Sequence, residues 1–164
     1  MIAHETSTLP GAAVCPDARG LARLQSFKGR KGPFLLLARD RATALHWARW
    51  IPSLLRRMAR SQWPGSTTLV FPGRPGLPPA CYRRGQLAVR VDASPMVRLL
   101  AREAGGLVLS SSLNRRGGVT KCPERQSMWR WRRYFGGWMS DGASSGRASR
   151  MLRIGSRCCE RIRP

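Results

Sequence analysis

The stretch "QLAVRVDASPMVRLLAREAGGLVLSSS", residues 86–112, predicts a strand, a helix and a second strand in direct succession. In its first part, apolar residues alternate with Ala88 and Arg90, which is the period-two pattern of a strand that buries one face. The apolar set comprises Leu87, Val89 and Val91. Arg90 would then lie on the opposite face, either in solvent or above a binding cleft.

A helix is predicted directly after this strand. Ser94 and Pro95 suit the N-cap and the first position of a helix that extends to Ala104, and two glycines then end it. The run "LVLSSS", residues 107–112, indicates the second strand, which continues into the polar turn "SLNRRGG".

Strands and helices also alternate upstream of this stretch. The predicted elements are a helix over Asp17 to Phe27 with Asp17 as N-cap, a buried strand in "PFLLLA", a helical pattern over Arg41 to Gln62, and a β-rich run from Thr67 to Phe71. Pro52 interrupts the long helical pattern and would start a second helix in its first turn. The segment "GRPGLPPACYRRG", residues 73–85, is a loop by composition. This alternation predicts the α/β class.

The last third of the chain has a different composition. "ERQSMWRWRRYFGGW", residues 124–138, suits an amphipathic helix rich in Arg and Trp. "DGASSGRAS", residues 141–149, is a flexible loop by composition, and "RMLRI" after it suits a short strand. No internal repeat is visible.

The composition points to one domain and to an anionic partner. The 164 residues suit a single domain with its own core. Thirty Lys and Arg against eight acids give a net charge of +22, and an Arg-dominated surplus attracts polyanions through phosphate contacts. RNA, DNA or a nucleotide is therefore the first partner class. A coding bias that enriches arginine at solvated positions is the competing explanation.

The cysteines and histidines do not suggest a metal site. The five cysteines show no C-x-x-C spacing, and the two histidines are far apart in sequence, so we expect no protein-built metal site. An odd cysteine count without a secretory leader favours reduced thiols in the cytoplasm. Since no apolar run approaches the roughly 20 residues that span a bilayer, we expect no membrane insertion.

Three groups of polar residues could take part in ligand binding or catalysis. Lys28 and Arg30, separated by a glycine, could hold a phosphate, or they could form a solvated turn. The serine-rich segment with Ser110, Ser112 and Asn114 lies at a strand end, where ligands often bind in α/β sheets, although serine-rich loops are equally common. Arg90 is the third candidate, and spacing alone does not choose between its two positions.

The order of these pieces resembles the YrdC-like family, the L-threonylcarbamoyladenylate synthases that act in tRNA modification. That family shows a Lys-x-Arg pair, a Trp-Pro-Gly-Pro-x-Thr turn, a strand ending in Val-Arg-Val, and a Ser-x-Asn turn followed by glycine. The corresponding segments here are Lys28-Gly-Arg30, "WPGSTTLV" from Trp63, "AVRV" around Arg90, and "SSSLNRRGG" with Ser112 and Asn114. "HETSTLPG" from His4 is similar to the family's Pro-Thr-Glu-Thr segment, with His4 at the position of its first threonine.

The resemblance implies an α/β fold: a single-domain, open, twisted mixed sheet with flanking helices and a central basic cleft. It covers nearly all of residues 1–164. The family has an additional helix and strand before the Pro-Thr segment, and one interpretation is that this chain lacks them.

The resemblance also implies an activity. L-threonine, bicarbonate and ATP, with Mg²⁺, would give threonylcarbamoyl-AMP and pyrophosphate. The product would pass to the downstream tRNA threonylcarbamoyl transferase complex, and tRNA or double-stranded RNA is a further expected partner. Such chemistry needs positioned reactants and positive charge at the phosphoryl oxygens more than a protein nucleophile.

Roles carried over by position fall into three groups. Lys28 and Arg30 would be catalytic and would hold the triphosphate and the carbamoyl or threonyl carboxylate. The ATP-binding set would add Ser110, Ser112, Asn114, Arg147 and Ser149. The threonine-binding set would be Thr6, Thr68 and Arg90.

A second hypothesis comes from the positions that depart from the family pattern. Ser66 replaces the second proline of the Trp-Pro-Gly-Pro turn, and Leu113 replaces a small residue between Ser112 and Asn114. The alternative is therefore a catalytically weak or inactive relative that binds RNA through its Arg-rich surface.

Overall fold

A seven-stranded sheet organises residues 1–113, the part of the chain that the computed structural model describes. The strands are β1 (Ile2–His4), β2 (Gly11–Val14), β3 (Leu35–Ala38), β4 (Leu69–Pro72), β5 (Tyr82–Arg83), β6 (Gln86–Arg90) and β7 (Leu107–Ser112). Their order in the sheet is β1-β2-β7-β3-β6-β4, and β5 also pairs with β6. β3 and β6 are parallel, and the remaining pairs are antiparallel, so the sheet is mixed.

Four α-helices and one short 3₁₀ helix connect the strands. They are α1 (Ala18–Lys28), α2 (Arg41–His46), α3 (Ser53–Gln62), the 3₁₀ helix Pro79–Cys81, and α4 (Pro95–Glu103). Asp17 caps α1 by accepting a hydrogen bond from the Gly20 N–H at 2.6 Å, and Asp40 caps α2 through the Thr43 N–H at 2.7 Å. Each of these helices is too short or too polar to span a bilayer.

The helices cover opposite faces of the sheet. Leu36 and Leu109 belong to the larger buried cluster, which also includes Leu24 of α1, Ala44 of α2 and Ala59 of α3. Side chains one position along each strand point to the other face, because the strand period is two. There Leu37 and Val108 pack against Val97 and Ala101 of α4. The fold is thus an open α/β sheet with helices on both sides.

Most predicted elements are confirmed. α1, β3, β4, β6, α4 and β7 form where the sequence pattern indicated, and Leu87, Val89 and Val91 are fully buried. Asp17 is the N-cap of α1, as predicted.

Two local details differ from the sequence-based expectation. α2 ends at His46, so the long helical pattern breaks before Pro52, which is the N-cap of α3 rather than a residue of its first turn. The proline-rich segment 73–85 contains the short 3₁₀ helix and β5, because Tyr82 and Arg83 pair with the start of β6. The serines at 110–112 lie within β7, as the strand prediction for residues 107–112 had them, and they continue its ladder with β2. The predicted helix over 124–138 and the strand over 150–154 lie outside the described residues.

Candidate active site

The candidate site lies on the sheet face that α4 covers only in part. Ser110 and Ser112 share this face with Val108, since alternate residues of β7 point the same way. Leu37 is fully buried against α4, whereas Leu35, two residues earlier in β3, is only partly buried. The end of the face near Leu35 is therefore accessible.

At one side of this opening, His4 holds Ser110. The two residues lie on strands separated by β2, and His4 Nε2 is 3.0 Å from Ser110 Oγ. Gly11 lies between them, and a Cβ at that position would be 3.0 Å from Nε2. Burial lowers the pKa of His4, with smaller opposing contributions from the Glu5 backbone and from Asp92, so the imidazole is neutral at pH 7.

Lys28, at the end of α1, reaches the last residue of β7. Gly29 follows it in the left-handed conformation, with φ of 61°, and ends the helix. The Lys28 ammonium donates a hydrogen bond to the Ser112 carbonyl oxygen at 2.8 Å. Burial, and secondarily the positive charge of Arg30, lower the pKa of Lys28.

Arg30 is held by its own loop. Its Nη1 donates to the Pro33 carbonyl oxygen at 2.8 Å, and its Cζ atom lies 4.6 Å from the centre of the Phe34 ring. Phe34 is buried, so the guanidinium rests on a fixed aromatic surface at the amino end of β3. The Lys28 and Arg30 charges therefore stand at the same end of the sheet.

Arg90 and Thr68 meet at the other side of the opening. The Thr68 hydroxyl oxygen accepts from Arg90 Nε at 3.1 Å and from Arg90 Nη2 at 3.0 Å. Arg90 Nη1 donates to the Thr8 hydroxyl oxygen at 2.9 Å. Register settles the position that the sequence left open, since Arg90 pairs with Leu37 and so lies on the α4 face.

Asp92 anchors this second group, and sequence reasoning missed it. The side chain is fully buried and accepts hydrogen bonds from the Ser7 N–H at 2.9 Å, the Ser7 hydroxyl at 3.0 Å and the Ser94 N–H at 2.9 Å. Arg90 Nη1 lies 3.5 Å from Asp92 Oδ2. An aspartate two residues before a helix N-cap was the available signal, because Asx side chains often bind backbone N–H groups nearby.

The loop between β1 and β2, residues 5–10, joins the two groups. His4, just before it, contacts Ser110, and Ser7 and Thr8 within it contact Asp92 and Arg90. Thr6 shapes the loop, since its hydroxyl oxygen accepts from the Leu9 N–H at 3.0 Å and donates to the Leu9 carbonyl at 2.7 Å. The structure therefore places Thr6 beside the Arg90 group, as a residue that supports the loop.

The predicted site residues thus form two groups. Lys28, Ser110 and Ser112, with Arg30 nearby, make the first, and Thr68 and Arg90 make the second. Ser110 and Arg90 lie on the α4 face, whereas Arg30 rests on Phe34, a residue of the buried cluster on the opposite face. Asn114, Arg147 and Ser149 lie outside the described residues. Among residues 1–113, the three cations Lys28, Arg30 and Arg90 of these two groups, with the one buried carboxylate Asp92, suit an anionic ligand.

The sequence matches a known family model over most of its length. The model, described as "Telomere recombination" and named Sua5_yciO_yrdC, matches residues 1–137. The chain belongs to the Sua5/YciO/YrdC family.

Individual relatives agree with this membership. The chain is 33% identical over 143 residues to a threonylcarbamoyl-AMP synthase of Nitrosococcus oceani, covering 83% of this chain and 74% of that protein. It is 36% identical over 124 residues to a threonylcarbamoyl-AMP synthase of Chromohalobacter salexigens, covering 71% of this chain and 65% of that protein. The resemblance to the YrdC-like family is therefore confirmed.

Solved Sua5/YciO structures share the fold. Escherichia coli YciO superimposes with a TM-score of 0.66 at 20% identity, covering 78% of this chain and 65% of YciO. P. abyssi Sua5, complexed with L-threonine, superimposes with a TM-score of 0.64 at 24% identity, covering 72% of this chain. The match spans 36% of the length of that Sua5 chain. These similarities confirm the open α/β sheet.

Proposed function

We propose that this family member is an L-threonylcarbamoyladenylate synthase, which forms threonylcarbamoyl-AMP and pyrophosphate from L-threonine, bicarbonate and ATP. The curated relatives that carry this name support the proposal. The observation that carries it is the hydrogen bond from Lys28 to the Ser112 carbonyl at 2.8 Å. It brings the Lys-x-Arg and Ser-x-Asn segments together across 84 residues of sequence, as one nucleotide site requires.

In the proposed reaction, the threonine amine attacks CO₂ from bicarbonate and loses a proton to give a carbamate. A carbamate oxygen then attacks the α-phosphorus of ATP, a mixed anhydride forms, and pyrophosphate leaves. Negative charge moves to the leaving pyrophosphate. Fixed cations at that position stabilise the transition state more than the ground state.

Lys28 and Arg30 are the residues proposed to bind the triphosphate. An ammonium group that is partly desolvated and lies beside another cation binds an anion readily, because the anion relieves the repulsion between the two charges. Ser110 and Ser112 would bind the nucleotide from the adjacent strand, together with Asn114, Arg147 and Ser149. His4 would fix the direction of the Ser110 hydroxyl.

Arg90 and Thr68 are proposed to bind threonine. Thr68 and Thr8 hold the guanidinium in one orientation, so little conformational entropy is lost when it pairs with a carboxylate. Thr6 would act through the loop that carries Thr8. The two reactants would then enter from opposite sides of the same opening, which suits a reaction that depends on their orientation.

Mg²⁺ is proposed to enter with ATP, coordinated by the triphosphate. Within residues 1–113, no three His, Cys, Asp or Glu side chains are close enough to hold an ion. The two oxygens of Asp92 already accept protein hydrogen bonds. Mg²⁺ commonly keeps much of its coordination to substrate phosphates and water, so the residues present fit an ion carried by the triphosphate. A cytoplasmic location and transfer of the product to a tRNA-modifying complex complete the proposal.

Pyrophosphate release tests this proposal. We expect release that requires both threonine and bicarbonate, measured with a coupled phosphate assay on the full chain. Lys28→Ala should abolish most of it, whereas Lys31→Ala, an exposed lysine three positions away, is the matched control. Release that continues without threonine would contradict the proposal.

A further inference from the structure

An arginine-lined hollow lies between α2 and α3. Its volume is about 320 Å³. The lining residues are Leu45, Ala48, Arg49, Trp50, Ile51, Arg56, Arg60 and Arg74. Half of the lining residues are therefore arginines, and the size suits a nucleotide-sized group better than a single small ion.

The positive charge of this hollow is not neutralised by the described part of the chain. The carboxylates within residues 1–113 are Glu5, Asp17, Asp40, Asp92 and Glu103, and none of them lines it. The ion pairs Arg39–Asp40 and Arg90–Asp92 involve none of the arginines that line it. Residues 114–164 carry 13 Lys and Arg against three acids, so their composition is not complementary either. Several unpaired cations in one place repel one another, and a polyanion relieves that repulsion.

Backbone hydrogen bonds fix the walls of the hollow. The Arg49 N–H donates to the Pro72 carbonyl and the Arg74 N–H donates to the Trp47 carbonyl, each at 2.8 Å. Arg74 Nε donates to the Ala48 carbonyl at 2.9 Å, which orients its guanidinium along the rim. The arginines therefore project from positions that are set before any ligand binds, which lowers the entropy cost of binding.

An aromatic ring stands in the same hollow. Trp50 is 59% exposed, an unusual position for the largest apolar side chain. Indole rings are stacking platforms for unpaired nucleobases, and arginine forks bind the adjoining phosphates.

A second hollow continues along α3. It has a volume of about 340 Å³ and is lined by Ile51, Ser53, Arg56, Arg57 and Arg60. Arg56 and Arg60 belong to both hollows and are one helical turn apart, so they lie side by side on the helix surface. A ligand with repeating negative charge could extend from one hollow into the next.

This surface is separate from the candidate active site. Ala44 of α2 and Ala59 of α3 pack on the sheet face opposite to the one that α4 covers. The active-site opening is on the α4 face. A ligand on the arginine surface would therefore leave the opening free.

We propose that these two hollows, hereafter the Arg56/Arg60 surface, bind unpaired RNA, with a base stacked on Trp50 and phosphates on the arginines. The proposal does not depend on the proposed function, because it uses none of the active-site residues. A single-stranded ligand is favoured over a duplex, since only unpaired bases present a face for stacking.

Fluorescence anisotropy with a labelled oligouridine tests the proposal. The full chain would be titrated at several salt concentrations, starting at low salt. Arg56→Glu combined with Arg60→Glu should weaken binding at least tenfold, and the slope of log affinity against log salt should become shallower by about 1.4, since each neutralised phosphate contributes about 0.7 in single strands. Trp50→Ala should weaken binding roughly tenfold with little change in that slope.

The matched control removes the same charge elsewhere. Arg19 and Arg23 of α1 are both exposed and have the same one-turn spacing, so Arg19→Glu with Arg23→Glu changes the net charge equally. We expect this control to retain most of the affinity. Equal losses in the two double variants would overturn the proposal, because binding would then be diffuse attraction to net charge.

Three further measurements complete the test. Circular dichroism melts check that each variant folds, and pyrophosphate release without RNA should be unchanged by the Arg56/Arg60 substitutions. Vesicles of phosphatidylcholine and phosphatidylserine serve as the competing probe. If Arg56→Glu with Arg60→Glu lost vesicle binding but kept RNA binding, the proposal would be overturned. Absence of RNA binding by the native chain at low salt would also overturn it.

Discussion

Substitution of Asp92 should release the loop that connects the two halves of the candidate site. Asp92 is fully buried and ties Ser7 of that loop to Ser94 at the start of α4. Asp92→Ala removes the acceptor for three hydrogen-bond donors and leaves Arg90, whose side chain is 14% exposed, without its neighbouring charge.

The magnitude follows from how many of these donors can reach water. Each buried donor that loses its partner costs about 1–3 kcal/mol. Ser7 is exposed and can be rehydrated, whereas Arg90 is largely buried, so we expect Asp92→Ala to lower the free energy of unfolding by about 4 kcal/mol, within the range for breaking a buried ion pair. Asp92→Asn keeps one carboxamide oxygen, and the Ser7 hydroxyl can accept from its amide, so about 2 kcal/mol is expected.

Urea unfolding followed by circular dichroism measures these differences. Asp40→Ala is the matched control, since Asp40 is exposed and caps α2, a role worth about 1 kcal/mol. Threonine affinity should fall in the Asp92 variants and not in the Asp40 variant. If Asp92→Ala were as mild as Asp40→Ala, the assignment of Asp92 as the anchor of the loop would be wrong.

Three other predictions follow from single residues. Burial lowers the pKa of Lys28 below the ordinary lysine range, so the affinity for ATP should fall as the pH rises through that lowered value. In calorimetric titrations, Lys28→Arg should remove this pH dependence, since arginine stays charged. An unchanged pH profile in Lys28→Arg would contradict the assignment of Lys28. Gly11→Ala would place a methyl group 3.0 Å from His4 Nε2, so we expect a loss of about 1–3 kcal/mol in urea unfolding and a weaker nucleotide affinity; a neutral result would refute the close approach. Burial raises the pKa of Cys81 to about 11, so its thiol should resist alkylation at pH 8 until the chain unfolds, while Cys15 reacts before Cys81 in peptide mass spectra; the reverse order would be inconsistent with the structure.

Elements with a strong local pattern could be predicted from the sequence. The alternation around Arg90 and the cap residues Asp17 and Ser94 depend only on neighbours in the chain, and they place β6, α1 and α4 correctly. β5 was missed because its two residues form a strand only through pairing with β6, and nothing local distinguishes them from a loop.

Residues of the candidate site could be predicted only where they belong to a motif that resembles the family. Spacing left the position of Arg90 open, and it took the register with Leu37 to place it on the α4 face. The His4 contact with Ser110 joins residues 106 positions apart, and the loop contact with Asp92 joins residues 85 apart. Contacts between residues so far apart in sequence depend on the order of the strands in the sheet. Local sequence patterns do not reveal that order.

The most direct test of the proposed activity is the incorporation of isotope-labelled bicarbonate into a nucleotide product. The full chain would be incubated with threonine, ATP and Mg²⁺, and threonylcarbamoyl-AMP would be detected by mass spectrometry. We expect the labelled product with the native chain, about 100-fold less with Lys28→Ala and about the native level with Lys31→Ala, since fixed charges at a transferring phosphoryl group are typically worth that much. Absence of the labelled product, or equal amounts in both variants, would contradict the assignment.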